Sequence, residues 1–187
     1  ACPPDLDAES LAAWREEVKT KLRELLAFPE VSPQPQPSLI AEEPRDGYRL
    51  QRWELYPEPA SVVPFILLVP DEVSAKRPAP AVLCFPGSQQ PKEALCGEPW
   101  PGDWQNRFGE HNYMALHMVK AGFVALAMDN PATGELDDPE LGDWRRQSGH
   151  LIWLGRTYEG LSTFQKMVAF QWLREQASVD ADRVAVC

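Results

Sequence analysis

Apolar residues along the chain follow two kinds of spacing, and the change from one to the other organises the molecule. Leu11, Trp14, Val18, Leu22, Leu25 and Leu26 recur at helical spacing, while Arg15, Glu16, Lys19, Lys21 and Arg23 fill the opposite face. Asp7 stands where a carboxylate would cap the first free N–H groups. The helix is expected to end near Phe28-Pro29. Ser32-Pro33-Gln34-Pro35-Gln36-Pro37 cannot continue it, because alternate prolines lack donors and favour extended polyproline structure. Residues 1–45 therefore read as a helix and surface connector, and residues 46–187 as the folded domain.

Beyond residue 45 the pattern becomes strand-like. Tyr48 to Tyr56 and Ser61 to Val69 predict two strands around the turn Pro57-Glu58-Pro59-Ala60. Pro64 lacks a donor, which points to an edge or a bulge. Ala81-Val82-Leu83-Cys84-Phe85 is a continuous apolar run, expected of a strand buried on both faces. A long loop is expected from Pro86 to about Glu110. A helix from Asn112 to Ala121 follows, capped by Asn112 and stopped by Gly122. Phe123 to Met128 predicts a second buried strand, and residues 129–155 a loop. Leu161, Phe164, Val168 and Trp172 mark one face of a helix over 158–176. Val184 to Cys187 predicts a third buried strand. An opening antiparallel hairpin followed by strand–helix–strand–helix–strand implies a three-layer α/β/α fold whose strands become parallel. Ligands of such sheets bind outside the carboxyl ends of the strands, so the informative loops start at Pro86, at Asp129 and after Cys187.

Composition narrows the function. Hydrophobic residues make up 44% of the 187, enough for a core, and charged residues 25%. No apolar run has the ~18 residues of a membrane-spanning helix. The formal net charge of −10 repels a polyanion, which disfavours nucleic acid as a partner. Cys2, Cys84, Cys96 and Cys187 form no Cys-x-x-Cys pair, and Cys84 and Cys187 read as buried free thiols. No His-Glu-x-x-His or other metal-ligand spacing occurs, and no cofactor is implied. Ala1-Cys2-Pro3-Pro4 carries no signal-peptide pattern, and the compartment stays open between cytoplasm and secretion.

Five segments, in order, carry a family resemblance. The strand ending at Phe85 runs into Pro86-Gly87-Ser88, and Pro91-Lys92-Glu93 follows. Ala121-Gly122-Phe123-Val124-Ala125-Leu126-Ala127-Met128-Asp129 is a glycine-led apolar strand ending in an acid. Leu154-Gly155-Arg156-Thr157 and Gly160 precede a helix, and Val179-Asp180-Ala181-Asp182-Arg183-Val184-Ala185-Val186 leads into the last strand. Together, over residues 46–187, they resemble the amino-terminal half of an α/β-hydrolase of the acetyl xylan esterase-like branch, related to dienelactone hydrolases. One departure is Pro86, where that branch usually has histidine.

The resemblance implies a Gly-x-Ser-x-Gly elbow beginning after Cys187, with the acid and histidine of the triad later still. No catalytic triad residue is therefore expected within this chain, and these residues alone are not expected to be active. His111, His117 and His150 read as surface or helix-end residues rather than a base. The resemblance does imply an oxyanion-hole donor in the loop after residue 85. Gly87, Ser88 and Gln89 are the candidates, with the Ser88 N–H first, Gln89 second, and Gly87 supplying an unusual backbone angle. Glu98, Trp100, Trp104 and Asp129 are candidate pocket-lining residues, and Arg156 is a candidate partner for Glu135 or Asp129.

The function so implied is a serine carboxylic-ester hydrolase acting on a small ester, such as an acylated carbohydrate. The remainder of the hydrolase domain would cover the exposed sheet edge. The alternatives are an inactive relative that binds a ligand or partner, an interaction module built on the amino-terminal helix, and a peptidase or cysteine-nucleophile dienelactone hydrolase on the same fold.

Overall fold

A computed structural model describes residues 7–29, 37–59, 61–87, 90–100, 109–138, 140 and 144–187. The proline connector lies largely outside them. Six strands form one sheet: β1 (Ser38–Arg45), β2 (Tyr48–Leu55), β3 (Val63–Pro70), β4 (Ala79–Cys84), β5 (Val124–Met128) and β6 (Val179–Val186), in the order β1-β2-β3-β5-β4-β6. β1, β2, β3 and β5 pair antiparallel in turn, whereas β4 lies parallel to both β5 and β6. The expected hairpin is β2–β3, and the sheet turns parallel after it.

β4 and β5 lie almost wholly inside, and their alternate side chains feed two cores. Phe65, Leu67, Leu83, Leu126 and Met128 face helix α5 (Tyr158–Arg174), which contributes Phe164, Val168 and Trp172. Ile66, Leu68, Val82, Cys84, Ala125 and Ala127 face helices α2 (Lys92–Cys96) and α3 (Met114–Lys120). This is the three-layer arrangement. At its centre Trp172 packs edge-on against Phe65 and Trp53, with ring centroids 4.9 and 5.2 Å away.

Helix α1 (Ala8–Leu25) forms as its spacing predicts, with Asp7 accepting from Ser10 N. None of its residues is fully buried, and Leu22 and Leu25 stay exposed. Its last turn is anchored instead. The Thr157 hydroxyl donates to Leu26 O, and Phe28 packs edge-on against Phe164. Gly160 permits this contact, since a Cβ there would lie 2.0 Å from Leu26 O. Thr157 also caps α5 by accepting from Gly160 N. The Leu154-Gly155-Arg156-Thr157…Gly160 motif is thus a device for seating α1 on α5.

Several expectations need correcting. The sheet starts at Ser38 rather than Tyr48. Pro64 is not in a bulge, and β3 is not an edge strand, but Pro64 itself is paired on one side only. It faces Glu54 of β2, and β3–β5 pairing begins one residue later, so its missing N–H leaves the ladder intact. The stretches read as loops contain α2 and α4 (Trp144–Trp153), and His150 lies on α4. α3 begins at Met114, after a 3₁₀ turn at Glu110–Asn112, and no side chain caps it; Gly122 ends it at φ +91° as expected. β6 is mostly exposed rather than buried.

Candidate active site

The parallel strands bring three carboxyl ends together. At Cys187, just past β6, the N–H donates to Leu83 O and the carbonyl accepts from Phe85 N, both at 3.0 Å. β4 has β5 on one side and β6 on the other, so the strand order reverses there. Such reversal points are where open α/β sheets leave a crevice for ligand. Phe85, Pro86 and Gly87 leave β4 on this edge, and Asn130 leaves β5 beside them, its Nδ2 donating to Pro86 O at 3.4 Å. Cys84 and Cys187 bring their sulfurs within 3.5 Å as free thiols. Cys84 is buried, which pushes its thiol well above the ordinary value, whereas Cys187 is exposed, against expectation.

Beneath this edge lies a buried ion-pair cluster. Lys92 opens α2 and is 1% exposed. Its Nζ reaches Asp129 Oδ2 at 2.9 Å, Glu135 Oε1 at 2.8 Å and Glu93 Oε1 at 3.0 Å. Its backbone N–H donates to Asp129 Oδ1 at 2.7 Å, and Glu135 N donates to Asp129 Oδ2 at 3.3 Å. Arg52 approaches Glu93 at 3.4 Å from β2. Burial acts to lower the Lys92 ammonium, but the surrounding carboxylates outweigh it and hold it above the ordinary value. Burial raises Asp129 and Glu93 despite Lys92. Burial would raise Glu135 too, but its bond to Lys92 prevails and lowers it. Gly134 makes the cluster possible: it adopts φ +60°, and a Cβ there would fall 2.4 Å from the Asp129 carboxyl. Chemically this cluster is a brace. It ties the segments following β4 and β5 together, and Lys92 contacts all three acids, although the buried Glu93 Oε2 has no hydrogen-bond partner among the described residues.

A cavity of about 370 Å³ adjoins the same carboxyl edge, lined by Asn130, Thr133, Trp144, Tyr158, Ser162 and Lys166 among others. Lys166 Nζ donates to Asn130 Oδ1 and Ser162 Oγ, both at 2.7 Å, and lies 5.0 Å from the centre of the Phe85 ring. A larger cavity, about 710 Å³, opens at the opposite end of the sheet beside Ala79, Pro80 and Gly122. The smaller one is the relevant one, because the carboxyl ends of the strands are where this topology places ligands.

A model of the abhydrolase family matches residues 1–187. The chain belongs to the abhydrolase family. It is 36% identical to a Bacteroides fragilis protein assigned by inference as an acetyl xylan esterase, covering 97% of this chain and 48% of that one, with a TM-score of 0.84. It shares the fold of acetyl xylan esterase 1 from Thermoanaerobacterium sp. at 16% identity, covering 91% of this chain and 49% of that one, with a TM-score of 0.51. It likewise shares the fold of a glucuronoyl esterase from Teredinibacter turnerae at 14% identity, covering 92% and 45%, with a TM-score of 0.55. The chain thus spans about half the length of the first and second of these relatives. No curated protein matches the sequence significantly. The resemblance to the acetyl xylan esterase-like branch, drawn from five short segments, agrees with these likenesses.

Within this abhydrolase the proposed site residues separate. Ser88, Gln89 and Trp104 lie outside the described residues. Gly87 is exposed at the end of β4, but its φ is not in the left-handed region and a Cβ would meet nothing closer than Gln90 Oε1 at 3.7 Å. The unusual backbone angle expected of it is absent. Glu98 is held by Arg45 through two hydrogen bonds, 3.0 and 3.1 Å, and ties the segment after α2 to β1. Asp129 is buried in the brace. Trp100 lies near it, its ring centre 5.9 Å from Lys92 Nζ. Arg156 pairs with Glu58 at 3.0 Å rather than with Glu135 or Asp129, so it anchors the β2–β3 connection. Lys92 stands in a segment that carries the family resemblance, yet its role is not evident from the sequence pattern. The available signal is a lysine shortly after one parallel strand and an aspartate closing its neighbour. Lys166 carries no such signal, since it falls on an ordinary helix. Among the described residues no group of His, Cys, Asp or Glu is arranged to hold a metal ion, and no helix is long and apolar enough to cross a membrane.

Proposed function

We propose that this protein is a serine carboxylic-ester hydrolase acting on a small ester such as an acylated carbohydrate. The observation that carries the reading is the convergence of β4, β5 and β6, with Cys187 hydrogen-bonded across to Phe85 where the strand order reverses. In this family's chain order the nucleophilic serine follows that strand, on a strained turn. Its hydroxyl would attack the ester carbonyl while a later histidine takes the proton. The Ser88 N–H, with Gln89 as second choice, and the N–H after the serine would stabilise the oxyanion. The buried Lys92–Asp129 brace supports this role by fixing the segment that follows β4 against the one that follows β5.

The test is steady-state hydrolysis of 4-nitrophenyl acetate and acetylated xylo-oligosaccharides by the full-length protein. Ser88→Pro deletes one N–H and is expected to lower kcat by roughly 10²–10³ with little change in KM. Unchanged kcat in that variant removes Ser88 from the oxyanion hole. A folded full-length protein inert towards every ester tested refutes the hydrolase reading and leaves a ligand-binding relative.

A further inference from the structure

We propose that the cavity between the carboxyl end of β5 and helix α5 is a subsite for a carboxylate-bearing sugar, with the Lys166 ammonium as its anion contact. The placement of this subsite beside a reacting ester rests on the hydrolase reading; its ligand chemistry does not.

Charge singles out the lysine. Lys166 has no carboxylate within ion-pair distance among the described residues; its partners are the neutral oxygens of Asn130 and Ser162. The buried Lys92 at the same edge is, by contrast, matched by three acids. Burial without a counter-charge pulls the Lys166 ammonium below its ordinary value. A half-buried ammonium without an anion is costly, and an anionic ligand relieves that cost.

The donors are also incompletely used. An ammonium has three N–H groups, and two are committed to Asn130 and Ser162. Ser162 Oγ accepts from Lys166, so its own proton remains to donate. Lys166 and Ser162 both line the cavity, one turn apart on α5. One ammonium N–H and one hydroxyl suit the two oxygens of a carboxylate. Lys166 is the one cation among the described lining residues, Arg145 lying against the Trp144 ring outside that lining, and a single cation beside the Glu159 carboxylate does not suit a dianionic phosphate.

The walls suggest what carries the carboxylate. Trp144 and Tyr158 line the same space with ring centroids 6.0 Å apart. Aromatic faces of this kind stack on the apolar faces of sugar rings. The Trp144 indole Nε1 is buried and has no acceptor among the described residues. The volume of about 370 Å³ falls in the small-ligand range, roughly 300–1,000 Å³.

The test is isothermal titration of the full-length protein with D-glucuronate, D-glucose and acetate, which reads binding whether or not the protein hydrolyses esters. Glucuronate is expected to bind at least about tenfold more tightly than either control, and Lys166→Gln to weaken it at least about tenfold. Glu159→Gln, an exposed position at which folding is not at stake, is expected to tighten glucuronate severalfold. Equal affinity for glucuronate and glucose, acetate binding as tightly as glucuronate, or glucuronate binding untouched by both variants overturns the proposal. Ester hydrolysis without glucuronate binding refutes this subsite alone, and glucuronate binding without hydrolysis refutes the hydrolase reading alone.

Discussion

Removing the Lys92 ammonium tests the buried brace quantitatively. At 2.9 Å from Asp129 Oδ2, a unit charge pair at an effective dielectric of about 20 attracts by about 6 kcal/mol before desolvation is subtracted. Lys92→Met keeps the volume and the backbone N–H to Asp129 but leaves Asp129, Glu93 and Glu135 facing one another with Arg52 as the remaining cation among the described residues. Stripping one partner from a buried pair costs about 3–5 kcal/mol. The pH dependence follows from the signs. Asp129 and Glu93 already lie above their ordinary values of 3.8 and 4.5, so each takes stability away as pH rises past those values. Glu135 lies below 4.5 and gives stability that is present above it and lost as pH falls through the lower folded value. Lys92 lies above 10.5, so its contribution is fully present below that pH and lost as pH rises through the higher folded value. Without Lys92, both raised carboxylates rise further, and at low pH they take up protons instead of standing charged. Urea unfolding should therefore show a loss of about 3–5 kcal/mol at pH 8 and a loss at least about 1 kcal/mol smaller at pH 5, since a tenfold change in proton affinity is worth about 1.4 kcal/mol. A loss below about 1 kcal/mol at pH 8, or one identical at both values, refutes the brace.

Gly134→Ala forces a Cβ against the Asp129 carboxyl at a positive φ, and thermal unfolding should show it destabilised by about 2–3 kcal/mol. Gly160→Ala drives a methyl into Leu26 O, so limited proteolysis should cut α1 free of the domain well before the wild type is cut. Trp172→Ala empties the junction with Phe65 and Trp53 and should cost about 3–5 kcal/mol in denaturant unfolding.

What is legible in the sequence follows from burial. The strands β3, β4 and β5 are inside on both faces, so their apolar runs announce them. Helix α5 shows its core face at helical spacing because Phe164, Val168 and Trp172 meet the sheet. β1 escapes the pattern because its polar residues and Pro44 suit an edge strand, which has one neighbour and few buried positions. Helix α4 buries no residue, and Trp153 is 91% exposed, so its apolar residues carry no core signal. Helix α2 has five residues and begins with Lys-Glu, which looks like loop until Asp129 is known to lie beside it. That proximity depends on β4 and β5 being adjacent and parallel, a property of the sheet rather than of any local stretch. The Lys166 cavity is invisible in the sequence for the same reason, since Asn130, Trp144 and Lys166 come from three separate segments.

We propose that the carboxyl edge formed by β4, β5 and β6 is the centre of a serine ester hydrolase. The most direct measurement is to label the full-length protein with a fluorophosphonate probe and map the modified peptide by mass spectrometry. One modified serine is expected, in the turn that follows Cys187. A probe that modifies no residue, or one elsewhere in the chain, contradicts the claim.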